Sequence, residues 1–433
     1  MNVGFIHLGC SKNLVDTEMA IGLFKDNNYK VVNNEEEADI IVINTCGFIN
    51  SAKEEAINTI LEMVEYKKKR CKYLIVMGCL VQRYKEELAK EIPEVDLWIK
   101  YDSYSTIWEQ ISSVINPKNN NKKNLDFLDR TITTGDNFAY LRIAEGCDNF
   151  CTFCAIPNIR GKFTSRKIED ILEEAKKLAK EGYKELIIIA QDTTKYGVDI
   201  YGESKLPELL TKLCKIKDLK WIRFLYSYPE TITDELIEVV KKEDKICKYF
   251  DIPIQHFSDA VLKRMNRKSD SKSIEKLIIK LRKEIPEVVI RTTVMVGFPG
   301  ETEEDFNKLY NFIERTRFDR LGAFSYSKEE GTAAEKMPNQ VHPSTKRSRY
   351  NKIMKLQNKI STELQNEMIG KELEVLIETR TFDNKYYVGR SYREVPDIDG
   401  IIYVEMVDKA LEGKFVKVEI TDATEYDLIG KIK

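Results

Sequence analysis

Cys147, Cys151 and Cys154 lie in the run EGCDNFCTFCAIP, separated by three residues and then by two. Thiolates at that spacing can hold a 4Fe-4S cluster and leave its fourth iron without a protein ligand. An open iron can bind a reacting molecule, whereas structural zinc and electron-transfer centres normally use a fourth ligand. The next cysteines, Cys214 and Cys247, stand far downstream with no partner nearby in sequence. The spacing therefore points to chemistry rather than scaffolding; the alternative is three buried or zinc-bound cysteines.

A second set is dispersed. Cys10, Cys46 and Cys79 each follow an apolar, strand-like run: VGFIHLGC, ADIIVINTC and KYLIVMGC. The stretches between them, DTEMAIGLFKDNNY and SAKEEAINTILEMVEYKKKR, read as helices, so the order is that of parallel α/β units. Ligands in such sheets collect at the carboxyl ends of the strands. The three cysteines are expected to converge there as a second three-cysteine nest with its own open iron. Taken singly, each reads more often as a small buried apolar residue.

The elements that must position these residues divide the chain into three. Its 433 residues exceed one ordinary domain, and 42% hydrophobic with 32% charged content is that of a soluble globular protein. Residues 1–124 form an α/β unit ending in the polar linker NPKNNNKKN, residues 116–124. Residues 133–366 alternate strands and helices, which implies a parallel sheet with its reactive ends facing one way. Residues 367–433 show strand alternation and turns without helices, hence a small β-barrel of roughly five strands. The expected fold class is α/β: a small parallel domain, a central open (β/α) partial barrel and a C-terminal β-barrel.

No apolar run reaches the ~20 residues of a membrane span, and the start MNVGFIHLGCSKN lacks the pattern of a secretory signal. These features imply a cytosolic protein with no membrane partner. Nine cysteines in a reducing compartment favour metal or redox chemistry over disulfides. Net charge is −2, so bulk electrostatics gives no case for nucleic-acid binding. Residues 370–433 carry 10 Lys/Arg against 14 Asp/Glu, whereas residues 343–359 hold six basic residues and no acidic one. The acidic tail should attract a basic protein and repel a phosphate backbone.

LGCSKNLVDTE around Cys10, INTCGFI around Cys46, GCLVQRY around Cys79 and the loop GCDNFCTFCAIPNIRG together resemble the methylthiotransferases of the radical S-adenosylmethionine superfamily, and the tail resembles that family's TRAM domain. The resemblance covers essentially the whole chain. The family has branches that modify tRNA adenosine and one that modifies an aspartate of the twelfth small-subunit ribosomal protein. PIQHFSDAVLKRMNR and GRSYREVPDIDGIIYV are similar to the ribosomal branch; tRNA enzymes more often show Ser where this chain has His256. Glu394, Asp397, Asp399 and Asp408 would give the tail an acidic surface suited to a basic ribosomal protein.

The resemblance implies that Cys147, Cys151 and Cys154 ligate a cluster whose open iron chelates S-adenosylmethionine, which reduction cleaves to a 5'-deoxyadenosyl radical. It implies that Cys10, Cys46 and Cys79 hold a second 4Fe-4S cluster on the sulfur side, taking sulfide or persulfide as co-substrate. Two molecules of S-adenosylmethionine are then needed per turnover, and flavodoxin or ferredoxin is the expected reductant. Phe153 is a candidate packing partner for the adenine or the cluster. Gly297, Pro299 and Gly300 allow close backbone approach before a helix that begins at Glu301. Gln191, Asp192, Arg223, Tyr226 and Arg291 lie on or at the ends of strands, in the region to which the family gives the methionyl and ribose ends of the cofactor. His256, after DIPIQ, is a candidate catalytic residue, and His7 a candidate support for the N-terminal cluster. Alternative readings are a tRNA adenosine methylthiotransferase, and, outside enzymes, an iron-sulfur electron carrier or RNA-binding protein.

Overall fold

In a computed structural model, residues 1–117, 121–122 and 124–433 are described; the expected linker lies partly outside them. IIVINT and YLIVMG are apolar throughout rather than alternating, the pattern of strands covered on both faces. They form β3 (Ile40–Thr45) and β4 (Tyr73–Gly78) of a five-stranded parallel sheet with β1 (Asn2–His7), β2 (Lys30–Val32) and β5 (Leu97–Ile99), ordered β2-β1-β3-β4-β5. Helices α1 (Ser11–Asp26), α2 (Asn50–Val64), α3 (Cys79–Glu91) and α4 (Ile107–Ile115) accompany it. Ile60, Leu80 and Val81 pack on one face, and Leu23, Phe24 and Trp108 on the other.

One boundary differs from expectation. The helix expected from Asp16 begins at Ser11, directly after Cys10. Its polar start reads as loop because Lys12, Asn13, Asp16, Thr17 and Glu18 would be exposed on an isolated domain. All five are buried, since α1 lies between its own sheet and the central domain.

The central domain has six main strands: β6 (Phe138–Arg142), β9 (Glu185–Ile189), β10 (Trp221–Phe224), β11 (Tyr249–Gln255), β12 (Val289–Val296) and β13 (Arg320–Ser325). A two-residue antiparallel pair, β7 (Ala144–Glu145) and β8 (Thr164–Ser165), brackets the cysteine loop and α5 (Ile156–Arg160). The main strands form two parallel three-stranded sheets, β6-β9-β10 and β11-β12-β13. An Ile222–Ile246 bridge joins them into an open partial barrel. Around it run α6 (Ile168–Glu181), α7 (Val198–Tyr201), α8 (Leu206–Cys214), α9 (Asp234–Lys242), α10 (Asp259–Arg264), α11 (Ser271–Glu284) and α12 (Glu303–Thr316).

Alternate strand residues serve two cores. Leu186, Ile188, Ile222 and Phe250 pack with the surrounding helices. Tyr140, Ile187, Trp221 and Tyr249 instead form a cluster with Val15 and Met19 of α1 and with Leu376 and Val395 of the C-terminal domain. The other two domains therefore cover this side of the sheet.

The long helix α13 (Pro343–Asn366) leads to a closed barrel of β14 (Glu372–Arg380), β15 (Tyr386–Arg390), β16 (Ile402–Glu405), β17 (Phe415–Ala423) and β18 (Leu428–Ile432), ordered β14-β15-β16-β18-β17. The loop after β15 turns toward the central domain, which corrects part of the charge reading. Glu394 pairs with Arg320 at 3.3 Å, and Asp399 accepts from the Tyr249 hydroxyl at 2.7 Å. Glu394 is buried and Asp399 partly so, because each meets a cationic or hydroxyl partner across the domain contact; only Asp397 and Asp408 of the four acids are exposed. Among the described residues no helix is long and apolar enough to cross a membrane.

Candidate active site

The N-terminal cysteines meet where three strands give way to helices. Cys10 caps α1, Cys46 follows β3, and Cys79 is the first residue of α3. Gly9 (φ +104°) lies so close to Cys46 that an added Cβ would stand 2.8 Å from the Cys46 Cβ. A Cβ on Gly47 would stand 2.7 Å from Cα of Leu80, the neighbour of Cys79. Asn13 ties the ends together: its amide donates to the carbonyls of Leu8 (3.2 Å) and Thr45 (3.0 Å), and its oxygen accepts from Cys79 Sγ at 3.4 Å. Burial raises the Cys79 thiol to about 12. Cys46 is raised for the same reason, against backbone N–H donors at Phe48 and Gly47. Buried thiols of this kind lose their protons to a metal rather than to water.

The second set is held by the segment after α10. Thr152 N donates to Met265 O at 3.1 Å, Thr152 Oγ1 to Arg264 O at 2.8 Å, and Asn266 Nδ2 to Phe150 O at 2.9 Å. Burial pushes Cys147 up to about 11 and Cys154 up to about 12. The buried Arg267 reaches Cys151 Sγ at 3.8 Å, and the Tyr228 hydroxyl lies 3.7 Å from the same sulfur. Backbone N–H groups of Asn149 and Ile156 face Cys147 and Cys154. Positive charge and N–H donors around buried sulfurs suit thiolate ligands. Among the described residues, no three His, Cys, Asp or Glu side chains form a group that could hold a metal ion. A cluster distributes its thiolates over different irons, so each cysteine set has a chemistry that fits one.

The N-terminal set is linked to the cysteine loop's following helix through α1 and α5. Arg160, six residues after Cys154, donates to Asn13 Oδ1 and pairs with Asp16 at 2.8 Å and Glu145 at 3.2 Å. Arg142 joins the same acids, at 2.5 Å to Asp16 and 3.0 Å to Glu145. None of these four ionic residues was singled out in the sequence. Asn13 and Asp16 stand three apart in LGCSKNLVDTE, one helix face, and that polar stripe was the available signal.

Of the expected site residues, several come together. Asp192 accepts from Asn149 of the cysteine loop at 2.7 Å, and burial raises its carboxyl. Gln191 donates to Glu145, while its Oε1 is buried with no hydrogen-bond partner. Phe153 is half-buried and meets Phe298 edge-on at 6.4 Å, which sets the Gly297–Gly300 turn beside the cysteine loop. Glu301 closes that turn by accepting from Gly297 N (2.7 Å) and Phe298 N (3.2 Å), and it pairs with Arg349 at 2.8 Å. Arg264 donates to the carbonyls of Pro299 and Gly300 at 3.1 and 3.0 Å. Tyr226 carries a left-handed φ of 63° and lies beneath the Lys12 ammonium, 3.1 Å from its ring centroid.

Three expected residues are committed elsewhere. Arg223 pairs with Glu185 at 2.8 Å and donates to Tyr392 O at 2.7 Å; Arg291 pairs with Asp251 at 2.8 Å and faces Asp399 at 3.9 Å. Both arginines serve the contact with the C-terminal barrel. His256 is fully buried, its Nδ1 accepting from Ser258 N at 3.0 Å and its Nε2 directed at Glu301 at 3.5 Å. That geometry makes it a support for the Glu301 turn. His7 pairs with Thr17 Oγ1 at 3.3 Å.

Comparison with known proteins follows the same three-part plan. Residues 2–100 match uncharacterized protein family UPF0004, residues 141–313 the radical SAM superfamily and residues 369–432 the TRAM domain. The fold is shared with the radical S-adenosylmethionine methyltransferase TsrM from Kitasatospora setae (TM-score 0.56, 10% identity, 74% of this chain and 72% of that one). It is also shared with the cobalamin-dependent radical enzyme OxsB (TM-score 0.52, 14% identity, 83% of this chain and 56% of that one). The protein is thus a radical S-adenosylmethionine enzyme with an N-terminal cysteine domain and a TRAM barrel. Over its whole length it is 61% identical to the ribosomal protein uS12 methylthiotransferase RimO of Alkaliphilus oremlandii, covering 100% of this chain and 99% of that protein. It is 51% identical to that of Clostridioides difficile, with 100% and 99% covered. The chain belongs to the RimO family of ribosomal protein uS12 methylthiotransferases.

Proposed function

We propose that the protein replaces a β-hydrogen of an aspartate in ribosomal protein uS12 with a methylthio group, giving 3-methylthioaspartate. One 4Fe-4S cluster would sit on Cys147, Cys151 and Cys154, the other on Cys10, Cys46 and Cys79. S-adenosylmethionine serves as methyl donor and radical source, sulfide or persulfide as sulfur source, and a flavodoxin or ferredoxin as cytoplasmic reductant. When bound, the clusters and S-adenosylmethionine supply a hydrogen-abstracting radical and the sulfur to be transferred. A radical is required because the β-hydrogens of aspartate are not acidic enough for a protein base at neutral pH.

The observation that supports this reading is the buried contact Cys79–Asn13–Arg160, which joins the N-terminal cysteine set to α5, the helix that follows Cys154, with Asp16 and Glu145 behind it. The chain's own residues position and exclude. Asp192 fixes Asn149 and thereby the cysteine loop. Phe153 and the Gly297–Gly300 turn offer an aromatic face and exposed backbone for the adenosine end, with Glu301, Arg349 and His256 keeping the turn in place. Gln191 offers its unpaired Oε1 to a ligand donor. Asp397 and Asp408 leave acidic groups on the barrel for a basic partner.

Mass spectrometry of ribosomal proteins and tRNA nucleosides from cells with and without the gene tests this. Loss of the SCH3-for-H increment from an aspartate of uS12 is the expected result. Loss of a methylthio group from tRNA adenosine, with uS12 unchanged, overturns it.

A further inference from the structure

We infer that Lys12 binds the side-chain carboxylate of the target aspartate and so selects aspartate as the residue modified. This rests on the substrate reading above. Lys12 lies two residues beyond Cys10, on the first turn of α1, and is only 7% exposed. Among the described residues its ammonium has no hydrogen-bond or salt-bridge partner. Its one contact of note is the ring of Tyr226, 3.1 Å away, which projects from the end of β10 in the central domain. Three acids of the same domain contact are paired with arginines: Asp16 with Arg142 and Arg160, Glu145 with the same two, and Asp251 with Arg291.

The ammonium keeps some contact with solvent and has no counter-ion, and a ring face is a weaker partner for it than a carboxylate. An incoming carboxylate would supply the missing partner. The position suits the reaction, because Lys12 spans from the Cys10 set to a strand end of the radical domain. A carboxylate held there would lie at the contact of the two domains, one helical turn from Cys10. The chemistry recognised is a carboxylate, and S-adenosylmethionine also carries one. The aspartate is favoured because Lys12 comes from the sulfur-side domain, next to Cys10.

The test uses the reconstituted full-length enzyme and two labelled peptides spanning the target loop of uS12, one with the native aspartate and one with asparagine in its place. Affinities are read by fluorescence anisotropy, alongside KM, kcat and S-adenosylmethionine affinity. The wild type should prefer the aspartate peptide. Lys12→Met should weaken aspartate-peptide binding by about tenfold, the scale of one lost charge-assisted contact. It should leave the asparagine peptide and S-adenosylmethionine unaffected, and Lys12→Arg should recover much of the preference. Equal weakening of both peptides would make Lys12 structural and overturn the inference, as would unchanged aspartate binding. Loss of S-adenosylmethionine affinity with peptide selectivity intact would assign the ammonium to the cofactor and also overturn it. Failure of the substrate reading looks different: the wild type itself would neither bind nor modify the aspartate peptide.

Discussion

At the scale of single residues, the surroundings of the sulfurs set what each centre can do. Arg267 is buried 3.8 Å from Cys151 Sγ and stacks on Tyr228 at 4.3 Å. A fixed positive charge there favours the state that has gained an electron. Arg267→Met should therefore lower the reduction potential of the cluster proposed on Cys147, Cys151 and Cys154, by about 50–100 mV for a charge at that range in a partly screened interior. A redox titration followed by electron paramagnetic resonance reads the shift; Arg267→Lys should fall between. The Cys147, Cys151, Cys154 loop was legible from local spacing, and the shared strand-end position of Cys10, Cys46 and Cys79 from the apolar run before each; their role as cluster ligands belongs to the proposal. Arg267, Arg160 and Asn13 were not legible, since their partners are 116, 147 and 66 residues away in the chain.

At the scale of elements, three strand-to-helix turns bring Cys10, Cys46 and Cys79 together, and they leave no spare volume. Gly9 combines a left-handed φ with a 2.8 Å approach to Cys46. Gly9→Ala should cost about 1–2 kcal/mol in backbone conformation alone and push Cys46 from its place. The iron content of the purified variant should drop to that of one cluster while S-adenosylmethionine cleavage persists. The alternation of strands and helices and the small barrel could be read from the apolar runs, because burial imposes those periods directly, whereas the sheet order and the short strands β2 and β5 could not. The start of α1 could not, because its polar residues are buried only against a second domain. The same limit turned Arg223, Arg291, Glu394 and Asp399 from expected ligand or surface groups into domain contacts.

At the scale of the whole molecule, the C-terminal barrel is fastened to the radical domain by buried charge. Glu185 lies between Arg223 (2.8 Å) and Arg390 (2.9 Å). Glu185→Gln leaves Arg223 without a counter-charge while Arg390 keeps Glu378 at 2.6 Å, and should destabilise this contact by about 3 kcal/mol, seen as a lower melting temperature. Burial pushes the Glu185 carboxyl up, but Arg390 and Arg223 more than offset it and hold it below the usual range. A depressed carboxyl stabilises fully above its unfolded value of about 4.3 and is lost as pH falls through the folded value. Hydrogen exchange at β14 and the loop after β15 should accordingly rise in that acid window in the wild type, and much less so in Glu185→Gln.

The proposed chemistry divides labour between two cysteine sets, one generating the radical and one delivering sulfur. The direct measurement is a parallel assay of wild type and the Cys10→Ala/Cys46→Ala/Cys79→Ala variant, reconstituted with iron and sulfide and given reductant, S-adenosylmethionine and the uS12 peptide. Chromatography reads 5'-deoxyadenosine, and mass spectrometry reads the peptide. The wild type should yield both 5'-deoxyadenosine and methylthiolated peptide, whereas the variant should yield 5'-deoxyadenosine and unmodified peptide. Methylthiolation by the variant would contradict the division of roles.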